Sequence, residues 1–212
     1  MSRNTHPWIL AVAAALWLAA TGVGFKLLLA YSLRPGAAAA APEAWPGWSR
    51  IPAPNGHAVL IMTIHPHCPC TSASVTELNT LMALLRNYNV KGYVLAVKPA
   101  DFPESWIRTA SYRAAENIPG VRVMVDDDGF EAMAFGAQTS GQVLLYDARG
   151  RLQFAGGITP DRGHVGDSAG RQRILALVKG GKSDAPDSLV FGCPLGATSC
   201  PLPPKQARAL LN

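Results

Sequence analysis

The apolar pattern of this chain changes period at one place, and that place carries two cysteines. His57-Ala58-Val59-Leu60-Ile61-Met62-Thr63-Ile64 is a continuous apolar run, the text of a buried strand. His65-Pro66-His67-Cys68-Pro69-Cys70 follows without a break. Val75, Leu78, Met82 and Leu85 then recur at spacings of three and four, one face of an amphipathic helix. The turn between them carries helix-start signals. Cys68 falls near the N-cap, Pro69 at the first helical position, and Ser74-x-x-Glu77 has the form of a capping box one turn later. A strand that passes through Cys-Pro-Cys into a helix must be followed by a crossover to a neighbouring parallel strand.

The rest of the chain supplies that strand and more. Tyr93–Val97 and Val121–Val125 read as further strands, with a helix over Glu104–Asn117 between them and Pro119 as its stop. Asp126-Asp127-Asp128-Gly129 reads as a solvated turn rather than a cation site, and Phe130–Phe135 as a short helix. Gln142–Tyr146 and Leu152–Ala155 flank Asp147-Ala148-Arg149-Gly150, the text of a hairpin. A glycine-rich loop from Gly156 to Gly170 leads to a last helix over Arg171–Lys179. The order is β-α-β-α-β-(α)-β-β-α, an α/β domain with parallel strands and a terminal antiparallel hairpin.

Ahead of the domain, 21 of the 26 residues from Trp8 to Leu33 are apolar, enough to span a bilayer. The run is longer than an ordinary signal-peptide core, so a transmembrane anchor is expected, with a cleaved signal segment as the alternative. This run also explains a charged fraction of only 16% beside 49% hydrophobic residues, when a quarter charged is usual. Arg34 to Pro54 is rich in alanine and proline and reads as a tether. Trp45 and Trp48 are expected to cover an edge of the domain or to sit near the bilayer. The boundaries are therefore a tail over 1–7, an anchor over 8–33, a linker over 34–56, a domain over 57–182 and a proline-rich, cysteine-containing tail over 183–212. Either anchor or signal exports the domain, placing it membrane-anchored on the extracytoplasmic, periplasmic side, where disulfides persist. From residue 50 onward 16 basic residues stand against 13 acidic ones, too few and too dispersed for a nucleic-acid partner.

Strand, Cys-containing turn and helix are the layout of the thioredoxin-like fold, a central mixed sheet flanked by helices. More narrowly, His65-Pro66-His67-Cys68-Pro69-Cys70, Thr139-Ser140-Gly141-Gln142-Val143-Leu144-Leu145-Tyr146-Asp147, Gly156-Gly157-Ile158-Thr159 and Phe191-Gly192-Cys193-Pro194-Leu195 resemble exported RedB-like redox proteins of the thioredoxin and peroxiredoxin superfamily, over residues 57 to 195. Two departures matter. The cysteine pair is Cys-x-Cys, not Cys-x-x-Cys. Ser140 stands after Thr139 where the fold usually presents a cis-proline, and a trans bond or a strained site is expected there. The resemblance implies that the loop at Thr139 and Ser140 contacts substrate.

Thiolates, not thiols, attack disulfides, and a helix N-terminus favours the thiolate. Cys68 is expected to be the more exposed, attacking sulfur, and Cys70 to resolve the mixed disulfide. Thiol–disulfide exchange with exported protein thiols or disulfides follows, with no cofactor. His67 is the candidate proton carrier or thiolate stabiliser, and His65 the end of a strand or a second such group. The alternative use of the same residues is a copper or zinc site formed by His67, Cys68, Cys70 and His164. No Pro-x-x-x-Thr/Ser-x-x-Cys pattern precedes either cysteine, which argues against a peroxidase. Cys193 and Cys200 read as a structural disulfide closing a local loop. The other reading is that Cys193 exchanges with the Cys68–Cys70 pair.

Overall fold

The computed structural model describes residues 7–37, 40–181 and 188–196. Of the tail expected over 183–212, residues 183–187 and 197–212 lie outside the described residues, Cys200 among them. The chain divides into two units, Met1–Arg34 and Pro35–Asn212. The first holds helix α1, Pro7–Ser32, whose 26 residues include none that is buried. At 1.5 Å per residue it is about 39 Å long, more than the roughly 30 Å of a bilayer's hydrocarbon core. It is the one described helix long and apolar enough to cross a membrane.

In the second unit the elements run β1 (Ala58–Ile64), α2 (Thr71–Leu84), β2 (Val90–Lys98), a 3-10 turn (Glu104–Ile107), α3 (Ala110–Glu116), β3 (Val121–Asp127), α4 (Phe130–Ala134), β4 (Val143–Tyr146), β5 (Leu152–Gly156) and α5 (Ala169–Val178). The sheet order is β3-β2-β1-β4-β5. β1, β2 and β3 are parallel, while β4 lies antiparallel to β1 and β5 antiparallel to β4. The single helix expected over 104–117 is instead broken in two. Thr109 is extended and caps α3, its hydroxyl accepting the Tyr112 N–H at 3.3 Å; a threonine that bonds the backbone this way starts a helix rather than continuing one.

β1 sorts its side chains strictly by parity. Leu60, Met62 and Ile64 join Leu78, Leu81, Tyr112 and Ile174 on one face, and Val59 and Ile61 join Tyr93, Leu95, Phe135, Leu144 and Tyr146 on the other. The second face has only the five residues of α4 over it, so something else must exclude water there. The alanine- and proline-rich segment does so. Ile51 is fully buried in that cluster and Trp45 packs on it, its ring 5.0 Å from Phe135 and 5.1 Å from Tyr146. Trp45 N–H donates to Gly150 O at 2.8 Å, and Tyr146 OH to Pro42 O at 3.0 Å. The residues expected as a free tether are thus bound along the domain over much of their length. Trp48 stacks edge-on to Phe130 at 5.0 Å.

Two polar expectations resolve differently. Glu77 forms no capping box with Ser74. It is buried and pairs with Arg171 of α5, while Gly166 N–H donates to it at 2.7 Å. The Asp126–Asp128 turn is not simply solvated: Asp126 is buried and accepts the Glu131 and Ala132 N–H groups at 2.8 Å each, capping α4. Burial raises its pKa against those two hydrogen bonds. Asp127 pairs with Lys98 at 2.8 Å, and Asp128 accepts the Ala100 N–H at 2.7 Å.

Candidate active site

β1 ends at Ile64 and its continuation is held by the loop before β4. His65 N–H donates to Ser140 Oγ at 2.9 Å, and Gly141 N–H to Thr63 O at 2.7 Å. The chain then turns tightly: Cys68 N–H donates to His65 O at 2.9 Å and Thr71 N–H to Cys68 O at 3.0 Å. Helix α2 begins at Thr71, with Cys70 as its N-cap in a helical conformation. The helix therefore starts two residues later than the sequence pattern predicts, because residues 68–71 close a turn of their own first. Pro69 is the exposed tip of that turn.

Cys68 and Cys70 both carry free thiols. Contrary to expectation, Cys68 is not the more exposed of the two: it is 3% accessible and Cys70 5%. The pair is distinguished by electrostatics. Cys68 is lowered from an ordinary thiol value to about 6, first because Cys70 donates its S–H to the Cys68 sulfur. Burial opposes this, while the N–H groups of Cys70 and Cys193 and the Thr71 hydroxyl support it. Thr71 has a single hydroxyl hydrogen, shared with the His65 carbonyl 2.9 Å away. Cys70 is pushed up, by the same bond to Cys68 and by burial. The two sulfurs are thus displaced in opposite directions, Cys68 toward the thiolate and Cys70 toward the protonated thiol.

Arg162 is the residue that sequence reasoning missed. It lies in the glycine-rich loop before α5, where nothing local distinguishes it from the other scattered arginines. Its guanidinium hydrogen-bonds Cys70 and pulls that thiol's pKa down, though less strongly than the bond to Cys68 and burial push it up. Its Nη1 also donates to Gly192 O at 2.9 Å. One cation therefore touches both Cys70 and the C-terminal segment.

That segment completes the site. Residues 188–196 pass over the domain, with Val190 O accepting the Gly36 N–H at 2.8 Å. Thr139 and Pro194 form an antiparallel bridge, Ser140 N–H donates to Cys193 O at 2.9 Å, and Leu195 N–H to Gln138 O at 2.9 Å. Cys193 packs directly on Cys68 and Cys70, the three forming a buried cluster of their own. It is disulfide-bonded. Every described peptide bond is trans, including Thr139–Ser140. Thr139 and Ser140, expected to meet substrate, are each 1% accessible and paired with the chain's own tail.

The histidines are placed differently from one another. His67 is half-buried, its ring 4.4 Å from that of Trp106. Its Nε2 lies 2.8 Å from Trp106 O; a carbonyl only accepts, so Nε2 carries a hydrogen. His65 is buried, edge-on to Trp106 at 5.5 Å. His164 is exposed on its loop and pairs with Asp161. Among the described residues no three of His, Cys, Asp and Glu converge as metal ligands. The copper or zinc set of His67, Cys68, Cys70 and His164 is thus not assembled: His67 gives its Nε2–H to Trp106, and His164 is turned to Asp161.

A sheet in which β2 and β1 are parallel, β1 and β4 antiparallel, β4 and β5 a hairpin, with the dithiol between β1 and its helix, is a thioredoxin-like fold. No protein-family model matches the chain, and no curated protein matches its sequence. Solved structures share its fold. A hypothetical protein of Sinorhizobium meliloti superposes with a TM-score of 0.56 at 19% identity, covering 80% of this chain and 97% of that one. An uncharacterized conserved protein of Geobacillus kaustophilus gives 0.56 at 18% identity, with 79% and 95% covered. A secreted disulfide oxidoreductase of Mycobacterium tuberculosis gives 0.42 at 14% identity, covering 60% of this chain and 84% of that one.

Proposed function

We propose that this protein is a thiol–disulfide oxidoreductase, anchored to a membrane by α1, with its domain on the extracytoplasmic side and exported protein thiols or disulfides as its substrates. The observation that carries the reading is the asymmetric pair: a buried Cys68 lowered to about 6 beside a Cys70 that donates to it. In the reductive direction the Cys68 thiolate attacks one sulfur of a substrate disulfide. A Cys68–substrate bond forms and the other substrate sulfur leaves as a thiolate. Cys70 then gives up its proton and attacks Cys68 Sγ, closing Cys68–Cys70 and releasing the second substrate sulfur. Oxidation of a dithiol is the same sequence reversed. Arg162 stabilises Cys70 as its charge develops, and His67, beside Cys68 in the chain, exchanges the proton. We propose that the disulfide of Cys193 is made with Cys200, which lies outside the described residues.

The test is exchange between the reduced full-length protein and a self-quenched fluorescent disulfide peptide. Cys68→Ser is expected to slow exchange by at least about a hundredfold. A Cys68→Ser protein that exchanges at the wild-type rate would sink the proposal.

A further inference from the structure

Cys68 and Cys70 are almost fully buried, yet exchange needs a sulfur within reach. The sulfur that is within reach belongs to the chain itself. Residues 193–195 run antiparallel to 138–140, held by the Ser140 N–H to Cys193 O and Leu195 N–H to Gln138 O bonds. The first of these uses a backbone N–H that a proline at position 140 would lack. Gly192 fits against the same loop only because it has no side chain: a Cβ there would collide with Ser140 O, a backbone atom. Arg162 ties Gly192 O to Cys70 from the other side. All of these contacts converge on one result, a disulfide-bonded Cys193 packed on the free Cys68 and Cys70. A disulfide that only closed a loop in the tail would not need its sulfur delivered to a dithiol.

We infer that Cys193 is a third redox cysteine, and that the tail disulfide is the internal exchange partner of the Cys68–Cys70 dithiol. This rests on the exchange chemistry proposed above. Cys68 Sγ attacks Cys193 Sγ; the Cys68–Cys193 bond forms as the bond from Cys193 to its partner breaks, and the partner sulfur leaves as a thiolate and takes up a proton. Cys70 loses its proton and attacks Cys68 Sγ, closing Cys68–Cys70 and freeing Cys193. Two electrons have passed from the buried dithiol to the tail, and no outside oxidant or reductant is consumed. Run backward, the same steps carry electrons inward.

The experiment uses the full chain carrying Cys70→Ser and Cys200→Ser, which leaves Cys68 and Cys193 as the only thiols. The reduced protein is mixed with oxidised glutathione, quenched in acid and mapped by mass spectrometry. The relay predicts rapid conversion to an intrachain Cys68–Cys193 disulfide. It also predicts a drop of at least about a hundredfold in that rate in denaturing guanidinium, where the pair loses its native proximity. Adding Gly192→Ala to the folded protein should slow the link about tenfold. A stable glutathione adduct on Cys68 with no Cys68–Cys193 bond would overturn the relay while leaving Cys68 an exchange nucleophile. No modification of Cys68 at all would overturn the oxidoreductase reading and the relay with it. A link that forms equally fast in guanidinium would show that the native contact plays no part, and would also overturn it.

Discussion

Cys68 and Cys70 differ by two positions in sequence and by opposite displacements of their acidity. The alkylation rate of Cys68 by a small electrophile should therefore rise from acid pH and level off above an inflection near pH 6. The sign of the neighbour effect is testable. Cys70 donates to the thiolate, so Cys70→Ala removes the largest stabilising contact and the inflection should move upward, toward the ordinary thiol value of about 8.5. An unmoved inflection would mean that the N–H groups and the helix terminus set the acidity alone. At this scale the position of the motif was legible: Cys-Pro-Cys after an apolar run is a local pattern, and both sulfurs do lie between β1 and α2. Exposure was not legible, because burial of Cys68 depends on Cys193, 125 positions away in the chain.

Among the elements, the strands came through because apolar runs such as Ala58–Ile64 are read locally, while helix ends and caps did not. Glu77 shows why. Ser74-x-x-Glu77 is a valid local pattern, but Arg171 on α5 offers a buried carboxylate a stronger partner than a backbone N–H does. Glu77→Ala leaves Arg171 without that partner and should cost about 3 kcal/mol, read as a lower urea midpoint. The segment before β1 is a second case. Its composition is that of a linker, yet Trp45 and Ile51 fill the face that the short α4 leaves open. Trp45→Ala should destabilise the domain by roughly 2–3 kcal/mol, because it removes two edge-to-face ring contacts as well as apolar burial. A loss below about half a kcal/mol would mean that the segment merely lies on the surface. Arg162 belongs to this scale as well: only the closure of the glycine-rich loop onto α2 and the tail gives it a role.

The whole molecule has one long apolar helix and one compact unit with a buried dithiol, and the proposed anchoring makes a direct prediction. Full-length protein should sediment with membranes and resist alkaline extraction. Val12→Arg with Leu16→Arg, each charge costing about 3 kcal/mol within a bilayer, should release it. Membrane association that survives both charges would move the anchoring role away from α1. The order of strands and helices was readable before the fold was known, because β-α-β alternation is local and its handedness is set by general rules. The docking of residues 188–196 on the 138–141 loop was not, since no periodic signal marks a pairing so distant in sequence. The tail reshapes the site: it brings Cys193 into one buried cluster with Cys68 and Cys70.

Exchange through Cys68 is most directly tested by capture. Cys70→Ser protein, displayed on cells and quenched in acid, should hold a mixed disulfide on Cys68, either with an exported protein or with Cys193, and Cys68→Ser should hold none. Cys68 recovered as a free thiol in the Cys70→Ser protein, under conditions where the wild-type chain cycles, would contradict the mechanism.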